Sequence, residues 1–240
     1  MHLLCKTNLV KTVWFNWKML PARQAWRLPV WFYGKVRFRS LAGKVVFDCP
    51  VRSGLVEVGR HDYYVTTSVP VNIWTVRGTI RFAGPVHIIM SSYLLVADGA
   101  TLSFGRRNYF GGHLKLLCFD QITFGAWAHV AWECQIMDTS FHYLERVETG
   151  EVTGPLTKPV VFGDWVWVGN RSTVARGVVL PSYTIVASGS LVNRSFADLE
   201  PNCLLAGVPA VLKATGIRRV FNVARQRELD KQYQYHRVHL

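Results

Sequence analysis

Residues 162–192 decide the fold of this chain, and they read FGDWVWVGNRSTVARGVVLPSYTIVASGSLV. An apolar residue returns there at every sixth position, and a smaller residue follows four positions after each of the first five. A helix needs apolar residues at steps of three and four, and an ordinary strand needs steps of two. A period of six is typical of a parallel β-helix, in which each repeat supplies one short strand and one corner. The apolar positions are Phe162, Val168, Val174, Leu180, Val186 and Val192, and the smaller residues are Val166, Ser172, Val178, Thr184 and Ser190.

The same period continues outside this stretch with less regularity. It is visible from Val36 to Ile88, sharpens around Phe104 and Phe124, and stops after Ile136. Terminal repeats of such a stack are expected to be atypical, because they also close the ends of the core. We therefore expect an all-β chain built as a parallel β-helix. Glycines stand where the backbone has to turn between strands, at Gly163, Gly169 and Gly189.

The repeat stretch, followed by GVPAVLK at 207–213, resembles the hexapeptide-repeat acyltransferases. Within them it is most similar to the sugar O-acetyltransferases, the branch with the maltose and galactoside acetyltransferases and the capsule and lipopolysaccharide modifying enzymes. The matching motifs cover residues 80–213, and residues 1–75 match loosely. The resemblance implies a left-handed coil, although parallel crossovers are usually right-handed. It also implies acetyl-CoA as the acyl donor, no required metal, and a homotrimer with the active site between adjacent coils.

Three segments follow from these patterns. Residues 1–35 form a basic, aromatic N-terminal helical segment, and residues 36–200 form the left-handed β-helix. A loop over residues 137–161 interrupts the repeats, and it is far longer than a corner needs. Long excursions from a compact scaffold are usually functional or disordered. Residues 201–240 form a C-terminal extension in which the repeats end and a polar helix follows, from residue 216 onward.

The formal net charge of +13 predicts an anionic partner. Nucleic acid is the least favoured candidate, because the cations are scattered and no recognised binding motif is present. An anionic membrane surface and a phosphorylated small molecule stay open, and the resemblance favours the phosphates of coenzyme A. Surplus surface cations that keep the chain soluble are the simpler interpretation.

The five cysteines are odd in number, widely spaced and without a CxxC pair, so they predict neither a disulfide framework nor a zinc knuckle. The sequence shows no spanning apolar run and no secretory signal pattern, which predicts a cytoplasmic protein. Residues 1–47 carry nine Lys or Arg and no acidic residue. Within them an apolar stripe at helical spacing predicts an amphipathic helix. This helix either caps the base of the coil or anchors the protein peripherally on an anionic membrane. The stripe consists of Val10, Val13, Trp14 and Trp17.

His142 is the candidate catalytic base, in the interruption MDTSFHYLE. Acyl transfer to a hydroxyl needs a base, and imidazole titrates near neutral pH. In the resembled family the catalytic histidine stands about one coil before the GDxVWIG repeat, as DTSFH stands before GDWVWVG here. A base is held in one tautomer by a partner at its other nitrogen. Asp138, Glu145 and a backbone carbonyl are the candidates.

The other histidines test a rival interpretation as a zinc enzyme. The γ-class carbonic anhydrases use the same coil but bind zinc through three histidines, two of them five residues apart on one turn. Here the nearby set is His113, His129 and His142, without an HxxxxH spacing, so we expect no metal site. We expect His129 to be exposed and His113 to line the cleft.

The resemblance also implies binding residues. Trp167 aligns with a tryptophan that borders the acetyl-CoA and sugar site. Ser188 and Gly189 match a stretch whose backbone binds the pantetheine arm. Arg194 and Lys213 match basic positions near the nucleotide end of coenzyme A, where cations neutralise phosphate. Gly111 and His113 stand where asparagines orient the acceptor sugar in galactoside and maltose acetyltransferases, so we expect a different acceptor here.

The sequence therefore predicts an acetyl-CoA-dependent O-acetyltransferase acting on a sugar hydroxyl of a surface polysaccharide or its precursor. Two alternatives stay open. One is N-acetylation of a nucleotide-linked amino sugar, which uses the same coil and histidine chemistry. The other is a non-catalytic β-helix that serves as an assembly or binding module and does not bind acetyl-CoA.

Overall fold

A computed structural model of the chain describes residues 7–61 and 71–234. Cys5 and the other residues outside these ranges lie beyond the described part. The described part holds three helices, α1 (Leu9–Met19), α2 (Ala22–Ala25) and α3 (Val223–Gln232). Its strands are, in chain order, β1 (Val30–Phe32), β2 (Lys35–Leu41), β3 (Lys44–Phe47), β4 (Val56–Arg60), β5 (Val71–Val76), β6 (Thr79–Phe82), β7 (Val86–Ile89), β8 (Tyr93–Val96), β9 (Thr101–Phe104), β10 (Asn108–Phe110), β11 (Lys115–Cys118), β12 (Gln121–Phe124), β13 (His129–Val130), β14 (Gln135–Met137), β15 (Val160–Phe162), β16 (Trp167–Val168), β17 (Thr173–Val174), β18 (Val179–Leu180), β19 (Ile185–Val186), β20 (Leu191–Val192), β21 (Cys203–Gly207) and β22 (Ala210–Thr215).

The strands form three sheets in which each strand pairs in parallel with the strand one coil further along the chain, except for the antiparallel pair β21 and β22. Sheet I has the order β1-β4-β7-β10-β13-β16-β19-β21-β22, sheet II has β2-β5-β8-β11-β14-β17-β20, and sheet III has β3-β6-β9-β12-β15-β18. Three strands and three corners make one coil. The expected all-β, left-handed parallel β-helix with short terminal helices is confirmed. Sheet I extends beyond the predicted range 36–200 at both ends, through β1 and β21.

A ladder of phenylalanine rings fills the core along sheet III. Phe82 stacks on Phe104 with ring centroids 5.2 Å apart, and Phe104 stacks on Phe124 at 5.5 Å. The ladder continues from Phe124 to Phe162 at 4.6 Å, and Phe47 extends it at the other end. One ring comes from each coil, because core positions on a given sheet recur once per coil. Burying this much aromatic surface supplies much of the free energy of folding.

The corners have a period of their own. Positive φ angles recur at every sixth residue, at Trp165 (60°), Arg171 (57°), Gly177 (77°), Tyr183 (61°) and Gly189 (70°). The left-handed region costs a non-glycine residue about 1–2 kcal/mol. At the corner between sheets III and I the side chains offset this cost by stacking, as the parallel indole rings of Trp127 and Trp165 do at 4.6 Å.

Gly163 and Gly169 serve the corners in a different way from Gly189. They have no left-handed φ, but a Cβ on Gly163 would lie 2.5 Å from the backbone nitrogen of Ser182. A Cβ on Gly169 would lie 2.6 Å from the backbone nitrogen of Ser188. These two glycines are therefore needed where the next coil approaches closely.

Helix α1 caps the first coil of the β-helix. Its Asn16 side chain bonds both backbone groups of Val30, with Nδ2 donating to the carbonyl at 2.7 Å and Oδ1 accepting from the amide at 3.1 Å. The Thr12 hydroxyl accepts from the backbone amide of Phe32 at 3.0 Å. Phe15 packs between them, 4.9 Å from the Phe32 ring. The inward face of α1 thus satisfies the polar edge of β1.

The predicted apolar stripe of α1 faces outward, because the cap uses the opposite side of the helix. Val10, Val13, Trp14 and Trp17 are all exposed. The expectation that a helix caps the base of the coil is confirmed. The surface that does so consists of Thr12, Phe15, Asn16 and Met19.

The C-terminal end of the coil is closed by a hairpin. Strand β22 lies antiparallel on β21, which is the last parallel strand of sheet I. The polar helix predicted from residue 216 begins later, at Val223, with the Asn222 side chain as its N-cap. The intervening residues 217–221 run along the outside of the coil, and they reach the candidate site.

Candidate functional site

The interruption of the repeats is an antiparallel arm, defined here as residues 139–159 between β14 and β15. Its two sides are joined by backbone hydrogen bonds from Ser140 to Leu156 at 3.0 Å and from Thr153 to Leu144 at 2.8 Å. The Arg176 guanidinium ties the arm to the coil by donating to the carbonyl of Pro155 at 2.9 Å. The arm emerges at the corner between sheets II and III, named here the arm corner.

The structure places His142 near the base of the arm, with its side chain exposed. Its backbone amide donates to the Ser140 carbonyl at 2.8 Å, and its carbonyl accepts from the Ser140 hydroxyl at 3.3 Å. The preceding Phe141 packs its ring against Phe119, with centroids 5.5 Å apart. The backbone on either side of His142 is therefore pinned, while the imidazole faces solvent.

The two predicted orienting residues have other surroundings. Asp138 is fully buried, and its carboxylate accepts from the backbone amides of Phe119 and Asp120, both at 2.8 Å. Burial raises the pKa of this carboxyl, and the amide hydrogen bonds oppose that rise. Asp138 thus anchors the point where the arm leaves the coil. Glu145 is exposed further out, where it faces Val152 across the arm.

The predicted acceptor residues lie at the corner between sheets I and II, named here the groove corner. A Cβ on Gly111 would lie 2.6 Å from the backbone nitrogen of Trp132, so close stacking of the coils requires glycine there. His113 has a left-handed φ of 58° and lines a shallow groove with Lys115, Glu133 and Gln135. Gly111 can contribute only backbone groups to a ligand, whereas His113 has a side chain beside open space.

A pocket of about 190 Å³ opens on the outer face of sheet I next to the groove corner. Trp167 on β16 lines it. His129 and Tyr109 also line it, from the matching positions one and two coils earlier. Arg219 closes one side, with its guanidinium 5.5 Å from the centre of the Trp167 ring. Pockets for small molecules usually measure ~300–1,000 Å³, so this hollow is large enough for only part of such a molecule.

The predicted cofactor residues divide between two corners. Ser188 and Gly189 form the groove corner one coil after Gly169, and the Ser188 hydroxyl donates to Asn170 at 2.7 Å. Lys213 is exposed on β22 at the end of sheet I. Arg194 instead follows β20 at the arm corner, where it lies 5.0 Å from the Phe196 ring. The structure brings Gly111, His113, Trp167, Ser188 and Gly189 to the groove-corner side of the chain, and it places His142 and Arg194 at the arm corner.

Arg219 is one of the lining residues that the sequence pattern missed, as are Tyr109 and Trp132. It belongs to the stretch GIRRVF, which was expected to be helical but runs extended over the outer face of sheet I. Its neighbour Arg218 lies 5.3 Å from the Tyr183 ring. The only signal in the sequence is the pair of arginines Arg218 and Arg219, two residues after Gly216.

His129 is not exposed, which corrects the expectation from its repeat position. Arg219 and Phe221 cover it, with the Arg219 guanidinium 2.9 Å from its Nδ1 and the Phe221 ring 6.0 Å away. Arginine can only donate, so Nδ1 accepts and the ring proton sits on Nε2. Burial, together with the Arg219 charge, lowers the pKa of His129 to about 4. The imidazole is therefore neutral at pH 7.

This lowered pKa predicts acid sensitivity of the folded state. In the unfolded chain the imidazole returns to its ordinary pKa of 6.5, so as the pH falls the unfolded chain takes up the proton first. Stability that is fully present above pH 6.5 is lost between pH 6.5 and about 4. We expect a loss of about 1–2 kcal/mol, less than the full shift implies because the ring keeps some contact with solvent. Urea unfolding across this range should show a shallower pH slope for His129→Gln, and an unchanged slope would contradict the assignment.

The chain is similar to curated proteins of Klebsiella pneumoniae and Escherichia coli. It is 31% identical over 134 residues to an uncharacterised 24.8 kDa protein in the cps region of Klebsiella pneumoniae, covering 56% of this chain and 57% of that protein. It is 26% identical over 113 residues to galactoside O-acetyltransferase of Escherichia coli (strain K12), covering 46% of this chain and 52% of the enzyme. The chain thus spans about half the length of the curated relatives it matches. No protein-family model matches it.

Among solved structures, the chain is similar to the polySia specific acetyltransferase NeuO. The TM-score is 0.59 at 16% sequence identity, over 85% of this chain and 92% of that one. At this identity the likeness shows the fold alone. The galactoside O-acetyltransferase match confirms the resemblance to the sugar O-acetyltransferases, and the likeness to NeuO confirms the fold.

No helix within residues 7–61 and 71–234 is both long and apolar enough to cross a membrane. The same part of the chain holds no group of three or more His, Cys, Asp or Glu side chains placed to bind a metal ion.

Proposed function

We propose that this chain transfers the acetyl group of acetyl-CoA to a sugar hydroxyl in a surface polysaccharide or its precursor. The placement of His142 carries this proposal, since the arm presents an exposed imidazole on a pinned backbone. A general base needs this combination of access and fixed position. The similarity to galactoside O-acetyltransferase supports both the acyl chemistry and a sugar as acceptor.

In the proposed reaction His142 removes the proton from the acceptor hydroxyl as its oxygen attacks the thioester carbonyl carbon. The tetrahedral oxyanion is stabilised by backbone amides of the coil. It collapses as the carbon–sulfur bond breaks, and the coenzyme A thiolate takes the proton from the imidazolium. The products are an acetyl ester and coenzyme A. This direct transfer requires no covalent acyl-enzyme.

We assign the donor to the groove corner. The Trp167 ring and the Ser188–Gly189 corner would flank the pantetheine arm, and Gly189 leaves open space, since a Cβ there meets no atom within 4 Å. Lys213 would neutralise a phosphate of this donor as a point charge. Arg194 lies at the arm corner, so it would reach the donor of a neighbouring copy and bind phosphate through paired hydrogen bonds. The acceptor would lie near His113. Gly111 lacks a side chain to orient it, which supports an acceptor different from that of the galactoside enzyme.

The division of these residues between two corners supports a homotrimer as the proposed assembly. The arm corner carries His142, and the groove corner carries the proposed donor site. Each subunit therefore contributes one half to each of two active sites. A cyclic assembly would place the arm corner of one copy beside the groove corner of the next. The exposed apolar residues of the arm support such a contact, because side chains of this kind are usually covered by a partner. They are Phe141, Tyr143, Leu144, Val147 and Val152.

Incubation with isotope-labelled acetyl-CoA and a panel of acceptors tests this proposal. The panel holds neutral and acidic surface polysaccharides together with UDP- and dTDP-linked amino sugars, and mass spectrometry locates the label. We expect label on a polysaccharide or its precursor, removable by mild alkali as an ester is. Alkali-stable label on an amino sugar would show N-acetylation instead. If acetyl-CoA neither raises the melting temperature nor transfers label, the chain is a non-catalytic module and the proposal fails.

A further inference from the structure

Helix α1 carries a second apolar face that the described structure covers only in part, through the Trp14 ring on Phe38 at 5.4 Å. Val10 is 78% exposed, and the indole rings of Trp14 and Trp17 are 48% and 44% exposed. Trp26, just after α2, is 76% exposed and packs edge-on against Trp17 at 5.4 Å. Monomeric proteins rarely leave a contiguous aromatic patch of this kind in water without a functional reason.

The geometry of the helix directs this face away from the protein. At 100° per residue, the outward stripe and the inward stripe are centred about 160° apart. The inward stripe is fixed by Asn16 and Thr12, which bond the backbone of β1 at the end of the coil. The outward face therefore points away from β1, and its side chains are exposed to solvent.

The charges around this face have one sign. Lys18, Arg23 and Arg27 are exposed beside it, and no acidic residue occurs before Asp48. Lys11 lies over the Trp14 ring, 5.3 Å from its centre. Within the described residues none of these four cations makes a salt bridge, whereas Arg77, Arg81 and Arg171 elsewhere on the coil each pair with a carboxylate.

We propose that α1, α2 and Trp26 form a platform that docks on a bilayer containing anionic phospholipid. Tryptophan settles at the headgroup level, where its ring is in an apolar environment and its N–H meets water. Lysine and arginine around it meet the lipid phosphates, and each contributes near the surface. The platform is a short helix with apolar side chains on one face and cations at its flanks, which is the pattern of an interfacial anchor. Its uniform positive charge complements an anionic surface.

Co-sedimentation of the full chain with vesicles tests the platform. The vesicles are phosphatidylcholine alone, or phosphatidylcholine with a third of phosphatidylglycerol. We expect the chain to sediment with the anionic vesicles and to be released by salt. Reversing two flanking cations, in Lys18→Glu/Arg23→Glu, should lower the partition coefficient by at least about tenfold. Removing two rings, in Trp17→Ser/Trp26→Ser, should lower it by about tenfold as well.

Matched variants on α3 control for net charge and for exposed apolar surface. Arg227→Glu/Lys231→Glu makes the same change in net charge, and Val223→Ser/Tyr233→Ser removes exposed apolar side chains at the other end of the chain. Both should bind vesicles like the wild type. Loss of binding in these controls to the same extent would overturn the platform, and so would equal sedimentation with neutral and anionic vesicles.

Two further readouts separate this proposal from its rivals. Transfer to a soluble acceptor should persist in Lys18→Glu/Arg23→Glu, because the platform lies outside the proposed site, so a failure of the enzymatic proposal is seen independently. A protein partner or a second copy on the same face is the other occupant. A rise in oligomeric state that Trp17→Ser/Trp26→Ser reverses, without vesicle binding by the wild type, would assign the face to protein contact instead.

Discussion

Replacing His142 with alanine is expected to lower kcat by about 10³-fold, because a positioned base contributes about 10²–10⁴ to such reactions. The exposed imidazole makes no side-chain hydrogen bond within the described residues, so its removal leaves the fold unchanged. The melting temperature and the oligomeric state should therefore match those of the wild type. Steady-state assays with labelled acetyl-CoA and the identified acceptor measure the loss.

Whether His142→Ala changes kcat or KM identifies the role of His142. If His142 acts as the base, KM for acetyl-CoA should change little and the loss should fall on kcat. Tyr143→Ala, at the neighbouring exposed position, is the matched control for disturbance of the arm. Turnover of His142→Ala within about tenfold of the wild type would refute the assignment. An equal loss in Tyr143→Ala would point to arm packing rather than to proton transfer.

Phe124→Ala is expected to destabilise the fold by about 3–5 kcal/mol, the range for removal of a buried aromatic side chain. Phe124 is 2% exposed and stacks between Phe104 and Phe162, with Phe110 edge-on at 4.9 Å. Its loss leaves a cavity in the middle of the ring ladder. The rigid backbone ladders on either side limit how far the coil can collapse into that cavity. Urea unfolding at a fixed protein concentration measures the change.

Phe47→Ala is the control for this ladder, because Phe47 is only half-buried and stacks on one neighbour, Phe82, at 5.4 Å. It should cost about 1–2 kcal/mol, since less surface returns to water and no enclosed cavity forms. Equal losses at positions 47 and 124 would show that the central ring has no special importance in the core.

The strands of residues 162–192 could be predicted, because one buried residue per strand recurs at every sixth position. Phe162, Val168 and Val174 end β15, β16 and β17, and Leu180, Val186 and Val192 end the next three strands. A local pattern was sufficient, because each coil in such a stack contacts mainly its neighbours. The arm was predicted for a related reason, since it is where that pattern stops.

The orientation of α1 could not be predicted from its pattern. Its two faces both carry large apolar side chains, and the outward one is the more uniformly apolar. What selects the inward face is the need of the edge strand β1 for hydrogen-bond partners, which Thr12 and Asn16 supply. An analysis of hydrophobic periodicity counts these two residues as polar. It therefore predicts that the opposite face of α1 packs against the coil.

The surroundings of His129 were missed because their cause lies far away in the sequence. Arg219, which covers the ring, is 90 residues distant and belongs to a segment without any repeat. The same limit applies to the site as a whole. The sequence pattern assigns residues to positions along one chain. Which residues lie at the arm corner and which at the groove corner depends on the three-sided fold of each coil.

The closed ends of the coil have a consequence for the solubility of the protein. Parallel strands that run in register through every coil would present matching edges at top and bottom, so uncapped copies would join head to tail into filaments. The side chains of Asn16 and Thr12 occupy the backbone groups of β1 at one end, and the reversed strand β22 ends the register at the other. These two caps therefore oppose growth of the stack by end-to-end pairing of copies.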